Sequence, residues 1–399
     1  MEFALSSGNV VSFLKKHKLC DSEFRPDAPI ALKEGTNFNL VVKFPNGRDL
    51  IVKQNRIDSN SDRGLGSLPV EWVVQELIDN FSSLSELQPL VSEVIFIDWS
   101  NSVLVSVFYE NYQALNQLDR LNKCFDPRLT YVIGSNLAKI HGATYQQPAH
   151  LGFLRRYLKL DADKKQPNFI NRLTKLRPSI WGNICPDGFT FYKLYQRFSS
   201  LNDAAIELFE NIQPSCLIHN DLTLDNFIID RQINLDCDSI EIAPEQIKII
   251  DWERIDWGDP AMDLGMFISE YIGGIWLEST ISDRNLDLNT MLTTAKFPLE
   301  TISPALKTFM QGYLSQFPKI AVKRTDFIKR VVQFIGIGIL SRLTYYVEHH
   351  YPFTNNSIYK LQVAKNLLCF PQESIKTVFG VEEEDLLNVE YAHSLNHRV

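Results

Sequence analysis

Three polar side chains stand close together in the stretch CLIHNDLTLDNFIID, residues 216–230. His219, Asp221 and Asn226 are flanked on both sides by apolar runs that have the character of buried strands. Polar side chains at the end of a buried strand either form hydrogen-bond networks, which are costly to bury, or carry out chemistry. Three such side chains at this spacing favour chemistry.

A second acidic motif indicates which chemistry this is. Asp251 ends the apolar run of IKIIDWERIDWGDPAMDLG, which begins at residue 247. Transfer of a phosphoryl group from a nucleotide to a hydroxyl needs a carboxylate that orients the hydroxyl and accepts its proton, and it needs oxygen ligands for Mg²⁺. The spacing of His219, Asp221 and Asn226 matches the catalytic loop of kinases, in which the Asp is the base and the Asn binds metal. Asp251 then matches the second metal ligand.

The nucleotide side of such a site is predicted nearer the beginning of the chain. Lys53, in LIVKQ, would pair with the phosphates, and Glu71 on the following helix would hold that lysine. Glu76 competes with Glu71 for this role because it lies on the same predicted helix. Gly35 is the only glycine of the candidate nucleotide loop, so a glycine-rich pattern is weak there. The backbone N–H groups that can still approach phosphates are those of Gly35, Thr36 and Asn37.

A small β-rich first lobe is predicted to position these residues. Residues 28–56 alternate apolar and polar with turn signals between three runs, which predicts three antiparallel strands. Residues 68–81 have helical periodicity, with a proline near the start. The runs SEVIFID at 92–98 and VLVSVFY at 103–109 predict two more strands. The predicted first lobe therefore contains five strands and one helix.

From about residue 113 the pattern turns helical. Two short strands near 227–230 and 247–250 bracket a polar stretch. The helices predicted in this region span 126–145, 261–277, 301–316, 325–350 and 355–369. We therefore expect a nucleotide-binding N-lobe over residues 1–110. A helical C-lobe over residues 111–399 is expected to carry the catalytic loop, the metal site and the acceptor-binding helices.

These motifs together resemble a known family, the kinase-like phosphotransferases of the aminoglycoside phosphotransferase and choline kinase branch. IHNDLTLDN resembles the catalytic loop of that branch, IDWE its metal site and GDPAMDL the segment that follows. LAKIH at 137–141 resembles the helix that precedes the catalytic loop. The resemblance covers roughly residues 28–350 and is densest over 216–265. It implies a two-lobed, protein-kinase-like α+β fold with the nucleotide bound between the lobes.

The resemblance also implies roles for residues around the catalytic ones. His219 supports the catalytic loop by hydrogen bonding, and Asp263 holds the backbone of that loop. Asp259 and Glu253 are interpreted either as neighbours of the metal or as solvated loop carboxylates. The connection from strand to helix around residues 107–110 is expected to form the hinge whose backbone hydrogen-bonds the purine.

Some positions depart from the patterns of related kinases. In protein kinases the residue before the catalytic Asp is an Arg that receives a phosphorylated activation loop, whereas here it is Asn220. The triplet Asp251-Trp252-Glu253 lacks the Phe-Gly of protein kinases. These differences predict a site that is assembled without phosphorylation. Many small-molecule members have Gly at the position of Asn220 and His at that of Thr223, so the substrate class stays open.

Composition restricts the class of protein. The 399 residues include 45% hydrophobic and 22% charged side chains, which is ordinary for a globular protein with two or three sub-domains. A net charge of −8 and a pI near 5.6 argue against general binding of nucleic acids or anionic membranes. Six scattered cysteines without a C-x-x-C pair predict reduced thiols and a cytoplasmic location. The sequence carries no signal for an oligomer.

The predicted reaction is transfer of the γ-phosphoryl group of ATP to a hydroxyl, with Mg²⁺ and with GTP as the alternative donor. The first interpretation is a small-molecule kinase of the aminoglycoside or choline type. The alternatives are a Ser/Thr kinase of a peptide-modifying pathway and, outside enzymes, a nucleotide-binding pseudokinase. The basic segment 154–177 is interpreted either as a solvated helical face or as a patch that attracts an acidic acceptor.

Overall fold

The structure is a computed structural model. The residues it describes are 3–26, 28–33, 37–45, 48–54, 68–118, 125–158, 186–237, 241–281, 288–349 and 351–388.

The N-lobe is built on a five-stranded antiparallel sheet with the strand order β1-β2-β3-β5-β4. Its strands are β1 (Ala31–Lys33), β2 (Phe38–Val42), β3 (Leu50–Gln54), β4 (Val94–Asp98) and β5 (Val103–Val107). Each lies within a run in which alternating hydrophobicity predicted a strand. The register places Lys53 on the central strand β3, opposite Asn39 on β2 and Leu104 on β5.

In the described part of the N-lobe, two α-helices accompany this sheet, where the sequence predicted one. Helix α1 (Val10–Lys16) buries Val10, Phe13 and Leu14 in the core that the sheet forms with the N-terminal segment. Such a short helix offers too few periodic positions for a clear signal. Helix α2 (Leu68–Asn80), which was predicted, packs on β4 and β5. It is followed by a 3₁₀ segment over Ser82–Leu90.

Two small antiparallel sheets lie at the start of the C-lobe. Their strands are β6 (Tyr112–Ala114), β7 (Cys216–Ile218), β8 (Phe227–Asp230), β9 (Ile247–Ile249) and β10 (Asp256–Gly258). One sheet has the order β6-β8-β9, and the other pairs β10 with β7. The expectation that residues 107–110 lead into a helix was wrong, because β6 follows them. Strands β6 and β10 have three residues each, which is too short for a periodicity signal.

Helices make up most of the C-lobe. They are α3 (Pro127–Thr144), α4 (Pro148–Tyr157), α5 (Pro186–Gln196), α6 (Ser199–Glu210), α7 (Pro260–Ser269), α8 (Leu288–Leu292), α9 (Leu299–Gln316), α10 (Lys319–Lys323), α11 (Phe327–Glu348), α12 (Asn355–Cys369), α13 (Pro371–Phe379) and α14 (Glu383–Leu387). Helix α7 continues into a π-helical segment, Glu270–Trp276. Most of the basic segment 154–177 lies outside the described residues.

Close helix crossings build the core of this lobe. Helix α3 lies against α9, and α7 lies against α11. At the first crossing Gly134 faces the backbone of Phe309, and Gly312 faces that of Tyr131. A Cβ atom at either glycine would lie 2.1 Å from a backbone oxygen of the partner helix. Only glycine allows the two backbones to approach so closely.

The small antiparallel N-lobe and the mostly helical C-lobe confirm the predicted two-lobed architecture. The division at residue 110 stays a prediction. Within the described ranges, no helix is long and apolar enough to cross a membrane. Among the cysteines that the structure describes, Cys20, Cys216 and Cys369 are free thiols.

Candidate active site

Lys53 joins the two lobes through its ammonium group. Its Nζ lies 2.8 Å from Oε2 of Glu71 on α2 and 3.2 Å from Oδ1 of Asp251, which follows β9. Glu71 is 2% exposed, so Lys53 supplies the charge partner that a buried carboxylate needs. Glu76, the alternative partner in the sequence, instead contacts Asn80 at the surface. Burial alone would lower the pKa of Lys53, but the carboxylates of Glu71 and Asp251 raise it above its ordinary value.

Asp221 and Asn226 lie together in the candidate catalytic loop, residues 219–226. The amide Nδ2 of Asn226 donates to the backbone oxygen of Asp221 over 2.7 Å. The backbone N–H of Ile250 donates to the oxygen of Asn226 over 2.9 Å, which ties this loop to the residue before Asp251. Asn220 and Asp251 have φ angles of +62° and +67°, a conformation that side chains other than Gly rarely adopt. Non-glycine residues with positive φ angles are enriched at functional sites.

Asp263 on α7 holds the backbone of the candidate catalytic loop. Its fully buried carboxylate accepts the N–H of His219 over 2.7 Å and the N–H of Asn220 over 2.8 Å. Oδ2 of Asp263 also lies 3.2 Å from Nε2 of His141, whose Nδ1 lies 2.9 Å from the hydroxyl of Tyr313. Helices α3, α7 and α9 therefore meet at one carboxylate, and that carboxylate orients the loop.

His219 connects the candidate catalytic loop to the candidate metal loop, residues 250–254. Its Nε2 donates to the backbone oxygen of Ile250 over 2.9 Å, and its ring lies 4.6 Å from that of Trp252. The side chain is fully buried. His219 is therefore placed to support the two loops and has no access to a substrate.

Asn37 joins the candidate nucleotide loop to the metal loop. Its Nδ2 donates to Oε2 of Glu253 over 3.1 Å, and both residues are buried. The interpretation of Glu253 as a solvated carboxylate was therefore wrong, because it spans the lobes. The other predicted residues of the nucleotide loop, Gly35 and Thr36, lie outside the described residues.

Two basic side chains near the site were missed in the sequence. Arg254 places Nε 3.3 Å from Oδ2 of Asp221, and its side chain is 49% exposed. Lys33 on β1 places Nζ 5.3 Å from the ring centre of Phe108. Burial, and then the charge of Lys53, lower the pKa of Lys33. For Arg254, the sequence signal was its position directly after the Asp-Trp-Glu triplet. Lys33 gave no signal, because lone basic residues on strands are common.

Asp259 corrects a second interpretation. Its fully buried carboxylate caps α7 by accepting the N–H of Ala261 over 3.1 Å. The same carboxylate lies 2.9 Å from Arg324 and 3.1 Å from Arg330. It is therefore not a solvated loop carboxylate, because Ala261, Arg324 and Arg330 take up its oxygens. The arginines that bind it are distant in sequence, so spacing alone could not reveal the pairing.

The predicted hinge, residues 107–110, is partly hydrogen-bonded within the N-lobe. The N–H of Val107 donates to the backbone oxygen of Glu93 over 2.9 Å, and the N–H of Phe108 donates to that of Asp49 over 2.8 Å. These two N–H groups are thus already used. The purine contact stays a prediction for the rest of the hinge.

The environment of Asp221 favours proton acceptance. Burial raises the pKa of Asp221, and the carboxylates of Asp251 and Glu253 raise it further, while Arg254 and His219 oppose the shift. The side chain keeps 30% exposure, so a substrate can reach it. A carboxylate whose pKa is raised towards the working pH is a more effective base.

Oxygen atoms of Asn226 and Asp251 fit a magnesium ion. Asn226 uses Nδ2 for its contact inside the loop, so Oδ1 is the atom that can coordinate a metal. Asp251 has a side chain that is 36% exposed. In nucleotide sites Mg²⁺ is held by one or two protein carboxylates together with phosphate oxygens and water. The described part of the chain contains no group of three or more His, Cys, Asp or Glu that could hold a metal.

Comparison with family models finds a match to part of this chain. A model described as the phosphotransferase enzyme family matches residues 111–288, which include both candidate loops and Asp263. This match confirms the resemblance drawn from the motifs and the prediction of a phosphotransferase. None of the curated proteins matches the chain.

Solved structures share its fold. An ethanolamine kinase from Plasmodium vivax is 16% identical, with a TM-score of 0.50, and the similarity covers 84% of this chain and 80% of that chain. An amicoumacin kinase, solved with AMP-PNP, Ca²⁺ and its ligand, is 13% identical, with a TM-score of 0.50 over 90% of this chain and 92% of that chain. At these identities the likeness concerns the fold alone, and it confirms the protein-kinase-like α+β class.

Proposed function

We propose that this chain, whose residues 111–288 match the phosphotransferase enzyme family, transfers the γ-phosphoryl group of ATP to a hydroxyl of a small molecule, with Mg²⁺. GTP is the alternative donor. The observation that carries the proposal is the contact of Lys53 with both Glu71 and Asp251. Phosphoryl transfer depends on positioning of the reactants and on stabilisation of the charge on the phosphates. The contact brings Lys53, Glu71 and Asp251, whose charges can serve both purposes, together at the interface between the lobes.

Asp221 is the proposed catalytic base. It orients the acceptor hydroxyl and takes its proton, and its raised pKa and partial exposure suit it to both tasks. Lys53 pairs with the phosphates of the nucleotide, and Glu71 keeps its ammonium in place. His219 and Asp263 act through the loop backbone, because their hydrogen bonds fix where Asp221 points.

Asn226 and Asp251 are the proposed metal ligands. A magnesium ion held there would neutralise charge on the phosphates. The left-handed backbone of Asp251 and the Nδ2 contact of Asn226 hold these two side chains in place before the metal or the nucleotide binds. Backbone N–H groups of Gly35, Thr36 and Asn37 are proposed to cover the phosphates. A cytoplasmic location is proposed from composition.

The test is an acceptor screen. The purified protein is incubated with MgATP or MgGTP and with amino alcohols, sugars, aminoglycosides, hydroxy amino acids and Ser/Thr peptides. We expect nucleoside diphosphate release that depends on one small-molecule class, with a phosphorylated product detected by mass spectrometry. EDTA and the Asp221→Asn variant should both suppress it. Tight nucleotide binding without turnover on any acceptor would contradict the proposal, and turnover restricted to peptides would contradict its acceptor class.

A further inference from the structure

A pair of opposite charges lies beyond the candidate catalytic loop. Glu270 begins the π-helical segment that continues α7, and its carboxylate forms an ion pair with the guanidinium of Arg342 on α11. The Glu270 side chain is 15% exposed and that of Arg342 is 30% exposed. The pair is therefore sheltered but still open to a ligand that arrives from solvent.

Glu270 lies on the side of α7 that faces the candidate catalytic loop. Residues 263 and 270 are separated by about two helical turns, so Glu270 shares a helix face with Asp263. Asp263 bonds directly to the loop backbone next to Asp221. Burial raises the pKa of Glu270, and the carboxylates of Asp225 and Asp221 raise it further, although Arg342 opposes them. Glu270 therefore lies within electrostatic range of the proposed base.

The guanidinium of Arg342 keeps donors for another partner. It lies against the bare backbone of Gly274, where a Cβ atom would come within 2.7 Å of Nη1. In the described part of the chain its hydrogen bond is to Glu270, through Nη2. A guanidinium has five N–H donors in a fork that matches a carboxylate. Single π-helical turns of this kind are frequent at functional sites.

A second pair of opposite charges lies near this one, because the charge of Glu278 acts on Arg342. Lys360 on α12 is 3% exposed, forms an ion pair with Glu278 and lies 5.7 Å from the ring of Tyr346. A ligand with a single charge would take one member of the Glu270–Arg342 pair and leave the other sheltered without a partner, which is costly. A ligand with both charges can place its positive group on Glu270 and its negative group on Arg342, so that neither residue is left unpaired.

We propose that Glu270 and Arg342 bind the acceptor and select a hydroxyl compound that carries both an ammonium and a carboxylate group. Glu270 binds the ammonium, and Arg342 binds the carboxylate through parallel N–H donors. The acceptor hydroxyl then faces Asp221. Its oxygen bonds to the γ-phosphorus as the bond to the bridging β,γ-oxygen breaks, its proton passes to Asp221, and the nucleoside diphosphate leaves. This inference rests on the proposed function, because it assigns the acceptor of the same reaction.

The first test compares matched acceptors. L-serine, L-threonine and L-homoserine carry both charges. Ethanolamine, 1-amino-2-propanol and 3-amino-1-propanol lack their carboxylate, and 3-hydroxypropanoate, 3-hydroxybutanoate and 4-hydroxybutanoate lack their ammonium. We expect at least one doubly charged compound to exceed both of its counterparts in kcat/KM by about tenfold or more. If singly charged or uncharged acceptors of any kind are phosphorylated better, the inference is wrong while the proposed function stands. If no hydroxyl compound is phosphorylated, the proposed function fails as well.

The second test separates ligand binding from a structural ion pair. Glu270→Gln and Arg342→Gln should each raise KM for the doubly charged acceptor by about tenfold or more, with kcat and the KM for ATP hardly changed. The double variant Glu270→Arg and Arg342→Glu keeps an ion pair but exchanges the positions of its two charges. Its thermal unfolding should be near normal, whereas its KM for the acceptor should stay high, because each charge of the acceptor would meet a like charge. A wild-type acceptor KM in that double variant would overturn the proposal. Lys376→Gln and Glu382→Gln, which remove an exposed pair far along the chain, are the matched controls.

Discussion

At the scale of single residues, Asp221 has the most direct consequence for turnover. Replacement by Asn keeps the shape of the side chain but removes the proton acceptor. We expect kcat to fall by about 10²–10⁴-fold while nucleotide affinity stays nearly unchanged. Turnover is followed by diphosphate release, and affinity by calorimetry. Asp187→Asn, an exposed position on α5, controls for the loss of a negative charge. Near-normal turnover in Asp221→Asn would exclude this residue as the base.

The pH profile tests the same carboxylate in another way. Because the pKa of Asp221 is raised above the ordinary 3.8, the base is protonated, and turnover lost, at a higher pH than an ordinary Asp would require. Activity is therefore present above the raised pKa and declines as the pH falls through it. Arg254 opposes the shift, so Arg254→Gln should move the acidic limb of kcat/KM to still higher pH. An acidic limb that does not move in this variant would mean that Arg254 does not act on Asp221. Arg197→Gln, at an exposed position, is the control.

At the scale of elements, the crossing of α3 and α9 determines how the loop is held. Helix α3 carries His141 and α9 carries Tyr313, and together they orient Asp263. Gly312→Ala would place a Cβ 2.1 Å from the backbone oxygen of Tyr131, so the helices must separate. Overpacking of this kind costs about 1–3 kcal/mol or more, so Gly312→Ala should lower the Tm.

A matched glycine makes this measurement specific. Gly152 on α4 has open space around it, because a Cβ atom at this position would meet no other atom within 4 Å. Gly152→Ala should therefore be neutral or stabilising by up to about 1 kcal/mol. Thermal unfolding of both variants, followed by circular dichroism, compares them directly. Equal Tm values would show that the two helices do not require the close approach at Gly312.

At the scale of the whole molecule, the lobes are held together around an assembled site. Lys53 contacts Asp251 across the lobes, and Asn37 contacts Glu253. Trp72, next to Glu71, packs its ring 6.1 Å from that of Tyr157 on α4. Since no Arg precedes Asp221 to receive a phosphorylated loop, turnover should not depend on phosphorylation. Phosphatase treatment, verified by mass spectrometry, should leave the rate unchanged, and a large loss of rate would contradict this view.

The sequence by itself determined the strands of the N-lobe and the longer helices, because their periodic burial is a local property of the chain. It also predicted which residues form the candidate catalytic loop, since His219, Asp221 and Asn226 are neighbours in sequence and reach one turn together. Their proposed chemistry follows from residue type. The alternative between Glu71 and Glu76 as the partner of Lys53 could be resolved only in three dimensions.

Only the tertiary structure decided the contacts between distant segments. Asp259 is bound by Arg324 and Arg330, and Glu253 is bound by Asn37, although none of these partners is near in sequence. The short elements α1, β6 and β10 are likewise stabilised by the surfaces they pack on and carry too few residues for a periodic signal. A long-range contact depends on how complete lobes pack, because burial and not spacing selects the partner of a charge.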